Sequence, residues 1–150
     1  MQQKQKAVIC DIDNCLLYTN FIIKEAEQKG LTGNDKWGYF HKFANCDKVL
    51  FNYKLGEILK ALENQGYKIL LVTARSERIR KPTQRKLKQN LECDFKMFMR
   101  DFDNEESSAE LKQKLLDEIT KKYSVVFAID DEEENIRMFL KNGIYTMQSM

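Results

Sequence analysis

Apolar residues along this chain follow two rhythms. Short unbroken runs at 6–11 (KAVICD), 68–73 (KILLVT), 95–100 (FKMFMR), 124–129 (SVVFAI) and, more briefly, 144–148 (IYTMQ) predict strands. Because hydrophobicity in these runs is continuous rather than alternating, both faces of each strand are expected to be buried. Between them lie helix-length stretches with apolar positions three and four apart. LGEILKALENQG, at 55–66, has them at 55, 58, 59 and 62 and ends in a glycine stop. Helices are likewise predicted over 82–92, 107–122 and 131–142, with Pro82, the only proline, at the start of the first and Gly143 closing the last. Strands alternating with helices predict a parallel sheet of about five strands, in order 3-2-1-4-5, covered on both faces: a three-layer α/β/α, Rossmann-like fold.

Residues 18–50 break the rhythm. They carry two predicted helices, around 20–29 and 35–44, separated by GLTGN, and no clear strand. That is too much chain for a plain strand-to-helix connection, so it reads as a small helical cap inserted over the sheet edge.

The chain has 150 residues, 43% of them hydrophobic, enough for one domain spanning 1–150 with a real core and too few for two of ordinary size. Its net charge is +2, from 25 basic and 23 acidic residues, so global charge points to neither nucleic acid nor membrane. No apolar stretch approaches the roughly 18 residues of a membrane span, and MQQKQK lacks the apolar core of a signal peptide. A soluble, cytoplasmic protein is expected. The cysteines, Cys10, Cys15, Cys46 and Cys93, form no CxxC pair, and His41 is the only histidine, which speaks against both zinc and a disulfide framework. Nothing in the pattern indicates an oligomeric state.

Chemistry gathers at the strand ends, the edge where doubly wound sheets bind ligands. Asp11 and Asp13 follow the first strand, Thr73 and Arg75 the second, Arg100 and Asp103 the third, and Asp130 and Asp131 the fourth. Carboxylates converging there repel one another unless a cation sits among them, and all-oxygen ligands favour a hard ion such as magnesium, Mg2+. A phosphate would complete the charge balance. Thr73 offers it a hydroxyl, Arg75 a guanidinium, and the helix beginning near Ser107 carries Lys112 to neutralise developing charge. With Asp11 as nucleophile and Asp13 as general acid and then base, the set describes two-step phosphoryl transfer.

In their order these motifs resemble the haloacid dehalogenase (HAD) superfamily of phosphotransferases: AVICDIDNCL is similar to its first motif, ILLVTAR to its second, and VVFAIDDEEENIRMF to its fourth. VTARSERIRKPTQRKL, MFMRDFDNEESSAELKQKLLDEI and AIDDEEENIRMFLKNGIYTMQ narrow the resemblance to the 3'-phosphatase domain of phage-type polynucleotide kinases and to small phage and bacterial phosphatases related to it. NDKWGYFHKFANCD resembles a segment of their cap.

The resemblance implies a magnesium-dependent phosphomonoesterase acting on a polynucleotide 3' end or a nucleotide. Asp11 would become the aspartyl-phosphate and Asp13 the acid and base. Thr73 would hold the transferring group, Arg75 and Arg100 the substrate phosphate, and Lys112, favoured over Lys114, would stabilise the intermediate. Asp11, Asp130 and the backbone carbonyl of Asp13 would hold the metal, with Asp131 beside it. Asn14 and Cys15 stand where glycine and threonine are usual, and Ser108 where an aspartate precedes the lysine by four residues.

Other readings stay open at this point. The substrate could be another small metabolite. A receiver-like regulatory domain also stores phospho-aspartate at such an edge, although its aspartate follows the third strand rather than the first. Arg75, Arg78, Arg80, Lys81, Arg85, Lys86 and Lys88, against the single acid Glu77, could track a nucleic-acid backbone or form a solvated helix face. Trp37, Tyr39, Phe40, His41 and Phe43 could stack on a base or glue the cap to the domain. No GxxxxGK[ST] loop occurs, so kinase activity is not expected.

Overall fold

The structure is a computed structural model and describes residues 3–149. Five parallel strands form its sheet: β1 (Gln5–Cys10), β4 (Lys68–Ser76), β5 (Lys96–Arg100), β6 (Tyr123–Asp130) and β7 (Tyr145–Gln148). The spatial order is β5-β4-β1-β6-β7, which is the order expected from the hydrophobic runs. β1 sits centrally, paired to β4 through Ala7–Cys10 and to β6 along its whole length.

Continuous hydrophobicity has the predicted cause in the central strands β1 and β4 but not throughout: β7, at the sheet edge, is largely exposed through Tyr145 and Met147, and Val126 of β6 is exposed too. Val8, Cys10, Ile69 and Leu71 face one core, Ala7, Ile9, Leu70 and Val72 the other, and all eight are buried. The first core is covered by α3 (Tyr53–Asn64) and α4 (Arg80–Lys88) through Leu55, Leu59 and Leu87. The second is covered by α5 (Ser108–Lys122) and α6 (Glu133–Lys141) through Leu116, Ile119, Met138 and Phe139. Gly66, at φ 96°, and Gly143, at φ 75°, supply the left-handed residues that end α3 and α6.

Residues 18–50 contain α1 (Asn20–Gln28) and α2 (Gly33–Phe43), joined by a hydrogen bond from the Tyr39 hydroxyl of α2 to Glu25 Oε2 of α1. One expectation is corrected. The insertion is bordered by two short antiparallel strands, β2 (Leu17–Tyr18) and β3 (Leu50–Phe51), which the run of helical positions did not signal. Two-residue strands are too short to show a period. They form because Leu17 and Phe51 are buried and the Asn52 amide continues the ladder to the Leu16 carbonyl at 2.8 Å.

Two boundaries also move. α4 begins at Arg80, with Pro82 in its first turn, where a missing N–H costs nothing, and ends at Lys88 rather than 92 because the amides of Asn90 and Leu91 both turn back to the Leu87 carbonyl. β4 continues past the expected end at residue 73 to Ser76, and its register with β5 slips between Val72 and Ser76. Such irregularities re-aim side chains beside functional sites. Here the slip spans Thr73 and Arg75. No helix among the described residues is long and apolar enough to cross a membrane.

Candidate active site

β1 delivers Asp11 to the carboxyl edge of the sheet, and the Asp11 amide donates to the Ile129 carbonyl of β6 at 2.9 Å. The chain must then turn at once, since the amides of Cys15, Leu16 and Leu17 all return to the Ile12 carbonyl. Asn14 makes that turn at φ 60°, so asparagine serves where glycine is usual, as the left-handed tolerance of its side chain allows. The turn sends Asp11 and Asp13 into different surroundings.

Asp11 lies almost wholly buried against Lys112, which α5 carries into the core. Lys112 Nζ is 3.1 Å from Asp11 Oδ1 and 2.6 Å from Asp130 Oδ2, and the Ile12 amide donates to the same Asp11 oxygen at 2.8 Å. Burial pushes the Asp11 carboxyl well above the usual carboxylate range; Lys112 opposes this, and the charges of Asp130, Asp13 and Asp131 add to it. Burial alone would lower the Lys112 ammonium, but Asp11 and Asp130 outweigh it and hold the group above its ordinary value. Lys114, the other candidate lysine, is exposed and paired to Glu106 at 2.8 Å.

Asp13 is half-buried and gripped from the cap side. Arg75 Nε donates to both its oxygens at 3.2 and 3.0 Å, Arg75 Nη2 to Oδ1 at 2.8 Å, and the Thr19 hydroxyl to Oδ1 at 3.0 Å. The remaining Arg75 donors go to Asn45 Oδ1 at 2.7 Å, the Thr83 hydroxyl at 3.0 Å and the Ala44 carbonyl at 3.1 Å, while Phe40 covers the guanidinium face. A guanidinium expected to hold substrate phosphate is thus fully engaged within the protein and turned onto Asp13. Arg100, expected in the same role, instead donates to the carbonyls of Ala74 and Glu106 and to Asn104 Oδ1, folding the loop at 101–106. Thr73 is fully buried at the slip in β4, its hydroxyl accepting from the Arg75 amide at 3.1 Å. Asp103 is exposed.

The four acids proposed for the metal divide in two. One carboxylate oxygen each of Asp11 and Asp131, together with the Cys15 sulfur, lie within 4.8 Å of one another. Asp130 stands outside that cluster, because Oδ2 is taken by Lys112 and Oδ1 accepts from the Glu132 amide at 3.0 Å and from Asn135 Nδ2 at 3.1 Å. The Asp13 carboxylate is turned away toward Arg75 and Thr19. Two converging carboxylates suit a hard divalent cation. Burial raises the Cys15 thiol far above its ordinary value.

Asn135 was not anticipated, although one signal existed. It stands at the i position of an i, i+3, i+4 set with Met138 and Phe139, where periodicity calls for an apolar residue. It is buried, bridges Asp130 to the Ser108 hydroxyl, and keeps an unpartnered Oδ1. Ser108 therefore reaches Lys112 only through Asn135 and Asp130. Asn45 and Thr83, which hold Arg75, carried no signal beyond ordinary polar positions.

The family model for the polynucleotide kinase PNKP phosphatase domain matches residues 30–150. A chain from the structure of the Pnkp1/Rnl/Hen1 RNA repair complex is 31% identical, with a TM-score of 0.76 over 97% of this chain, which spans 42% of that one. A chain from a second structure of the Pnkp1/Rnl/Hen1 complex is 30% identical over 99% of this chain and 47% of its own length, also with a TM-score of 0.76. The class C acid phosphatase from Bacillus anthracis with tungstate bound shares the fold at 14% identity, with a TM-score of 0.67 over 97% of this chain and 68% of that one. No curated protein matches the chain.

Proposed function

Because the chain belongs to the polynucleotide kinase PNKP phosphatase domain family of HAD-type phosphoric monoester hydrolases, we propose that it removes the 3'-terminal phosphate of a polynucleotide, with magnesium, through an aspartyl-phosphate on Asp11. The observation that supports this best is the placement of the two carboxylates after β1. Asp11 lies against Lys112, whose ammonium favours the ionised nucleophile, and Asp13, two residues on, is held apart by Arg75 with its orientation fixed. The receiver-like reading requires its aspartate on a different strand.

In the first step an Asp11 oxygen bonds to phosphorus as the bond to the leaving oxygen breaks, and that oxygen takes a proton from Asp13. In the second, Asp13 removes a proton from water, whose oxygen attacks phosphorus and releases phosphate from Asp11. Lys112 holds the Asp11 Oδ1 atom still and offsets the charge gathered there. Thr73 presents its hydroxyl to the transferring group. Arg75 acts by orienting Asp13, and residues 18–50 form the cap that supplies Asn45 and Ala44 to hold Arg75. Asp11 and Asp131 would hold magnesium, which when bound supplies Lewis-acid charge to the phosphoryl oxygens and screens them from Asp11.

Phosphate release from a 3'-phosphorylated oligonucleotide, beside a panel of mononucleotides, tests the reading, with Asp11→Asn as control. Turnover of the oligonucleotide that Asp11→Asn abolishes is expected. No preference for the oligonucleotide overturns the substrate; retained activity in Asp11→Asn overturns the nucleophile.

A further inference from the structure

Of the seven basic residues from Arg75 to Lys88, the fold uses three. Arg75 holds Asp13, Arg80 is paired to Glu77 at 2.6 Å, and Lys86 donates to the Cys46 carbonyl at 3.1 Å. The other four, Arg78, Lys81, Arg85 and Lys88, are exposed, and among the described residues none has a hydrogen bond or ion pair from its side chain. Lys81, Arg85 and Lys88, four and three apart, share one face of α4, and Arg78 stands in the 3-10 turn Glu77–Ile79 that leads into it. That face lies opposite Thr83 and Leu87, the positions that α4 buries.

Charge on other helices is arranged differently. Lys54 meets Glu57, Lys60 meets Glu63, Lys121 meets Glu118 and Arg137 meets Glu133, each within one turn. The ridge on α4 has no acid. Like charges three and four apart destabilise a helix; Arg85 and Lys88 gain from the dipole at the end of α4, but no acidic side chain is paired to the ridge. The ridge is free to take complementary charge from outside.

The ridge also starts at the site. Arg75, whose guanidinium holds Asp13, precedes Arg78 by three residues, and Arg78 lies over the exposed ring of Phe102 at 5.7 Å. From Lys81 to Lys88 the ridge runs about 10 Å along α4, and Arg78 extends it toward the site, enough to meet several successive phosphates of a strand.

We propose that Arg78, Lys81, Arg85 and Lys88 form a rail for the sugar-phosphate backbone of a single-stranded polynucleotide whose 3' end lies at Asp11, with Phe102 as a stacking face for a base near that end. This rests on the phosphatase reading above and adds to it a binding path and a length requirement. Stacking is indifferent to sequence, as is a phosphate rail, so the path selects strand length rather than base identity.

The test compares kcat/KM for a 3'-phosphorylated ten-nucleotide oligomer with that for the corresponding dinucleotide, in the unaltered protein and in Lys81→Glu/Arg85→Glu/Lys88→Glu. A milder Lys81→Gln/Arg85→Gln/Lys88→Gln variant guards against misfolding. The unaltered protein should favour the longer strand about 10-fold or more, and both variants should lose that preference, mainly through KM. Loss of three phosphate contacts should also flatten the salt dependence, lowering the slope of log affinity against log salt by about 2. Phe102→Ala should weaken both strands alike, by about 10-fold. Turnover of both strands with no length preference, or a preference that survives in the variants, overturns the rail and leaves the phosphatase reading standing. Absence of turnover on any 3'-phosphorylated strand overturns both.

Discussion

Arg75 reaches across from β4 to clasp Asp13, with Nη2 2.8 Å from Oδ1 and Nε 3.0 Å from Oδ2, and it is itself held by Asn45 from the insertion and Thr83 from α4. The clasp fixes the orientation of one carboxylate and depends on three separate parts of the chain. Lysine cannot reproduce it, having one donor head in place of a planar fork. Arg75→Lys should therefore lower turnover about 100-fold, the scale of a small misplacement of a catalytic group. Asn45→Ala, which removes one support, should show a smaller loss in the same direction. Because Arg75 is placed to act through the general acid, the deficit should be larger on an alkyl phosphate than on an aryl phosphate whose leaving group departs unprotonated. Equal losses on both, measured as kcat, would assign Arg75 to substrate phosphate instead.

Asp13 itself offers a sharper separation of the two steps. Asp13→Asn keeps Asp11 but has neither a proton for the leaving group nor a base for water. With an activated aryl phosphate the first step no longer needs the proton, so rapid mixing should show a burst of about one phenolate per enzyme followed by slow turnover. Labelled phosphate should then be recoverable on Asp11. A linear trace without burst would place the acid elsewhere.

Much of this was legible in the chain because strand ends advertise themselves. Each long run of apolar residues had to stop near the sheet edge, so Asp11 and Asp130 were identifiable as edge residues before any geometry was known, whereas β4 runs on past Thr73 to Ser76. The hairpin of β2 and β3 was not, since two residues carry no period. Nor were the partnerships. Adjacent Asp130 and Asp131 look alike as letters, but β6 ends at Asp130 and the chain bends at Asp131, so one meets Lys112 and the other Asp11. Arg75 could be placed at the site from sequence, but whether its fork faced a substrate or Asp13 depended on Asn45, thirty residues away along the chain.

Their different partners give Asp130 and Asp131 different tests. Asp131→Asn removes one of the two carboxylates near Cys15 and should weaken magnesium binding about 10- to 100-fold. The readout is the magnesium-dependent rise in melting temperature, which needs no turnover. Asp130→Asn leaves Asp11 and Asp131 in place and should cost stability even without the ion, because Lys112 loses a buried partner. An unchanged magnesium shift in Asp131→Asn would move the ion to other ligands.

The hairpin has its own check. A Cβ at Gly56, on α3, would lie 2.8 Å from Phe51 Cε1, and Phe51 is buried with little room to retreat. Gly56→Ala should lower stability by about 1–3 kcal/mol despite the better helix propensity of alanine, visible in urea unfolding, while KM stays unchanged. A stabilised variant would mean that β3 moves freely.

Lys112 joins stability to catalysis most directly, because one ammonium offsets two buried carboxylates. Lys112→Met keeps an unbranched apolar stem one atom shorter and removes the ammonium, leaving Asp11 and Asp130 facing each other without compensation. Breaking such a group from one side costs about 3–5 kcal/mol, and at about 2–4 °C per kcal/mol for a domain this size the melting temperature should fall by about 6–20 °C. Turnover should fall with it, since Asp11 loses the partner that holds Oδ1. Lys112→Met/Asp130→Asn separates the two effects. Removing the second buried charge relieves much of the repulsion, so the double variant should melt well above the single one, yet it should remain inactive because Asp11 is still unpaired. A double variant no more stable than Lys112→Met would show that the stability of this edge comes from packing around the lysine stem rather than from its charge.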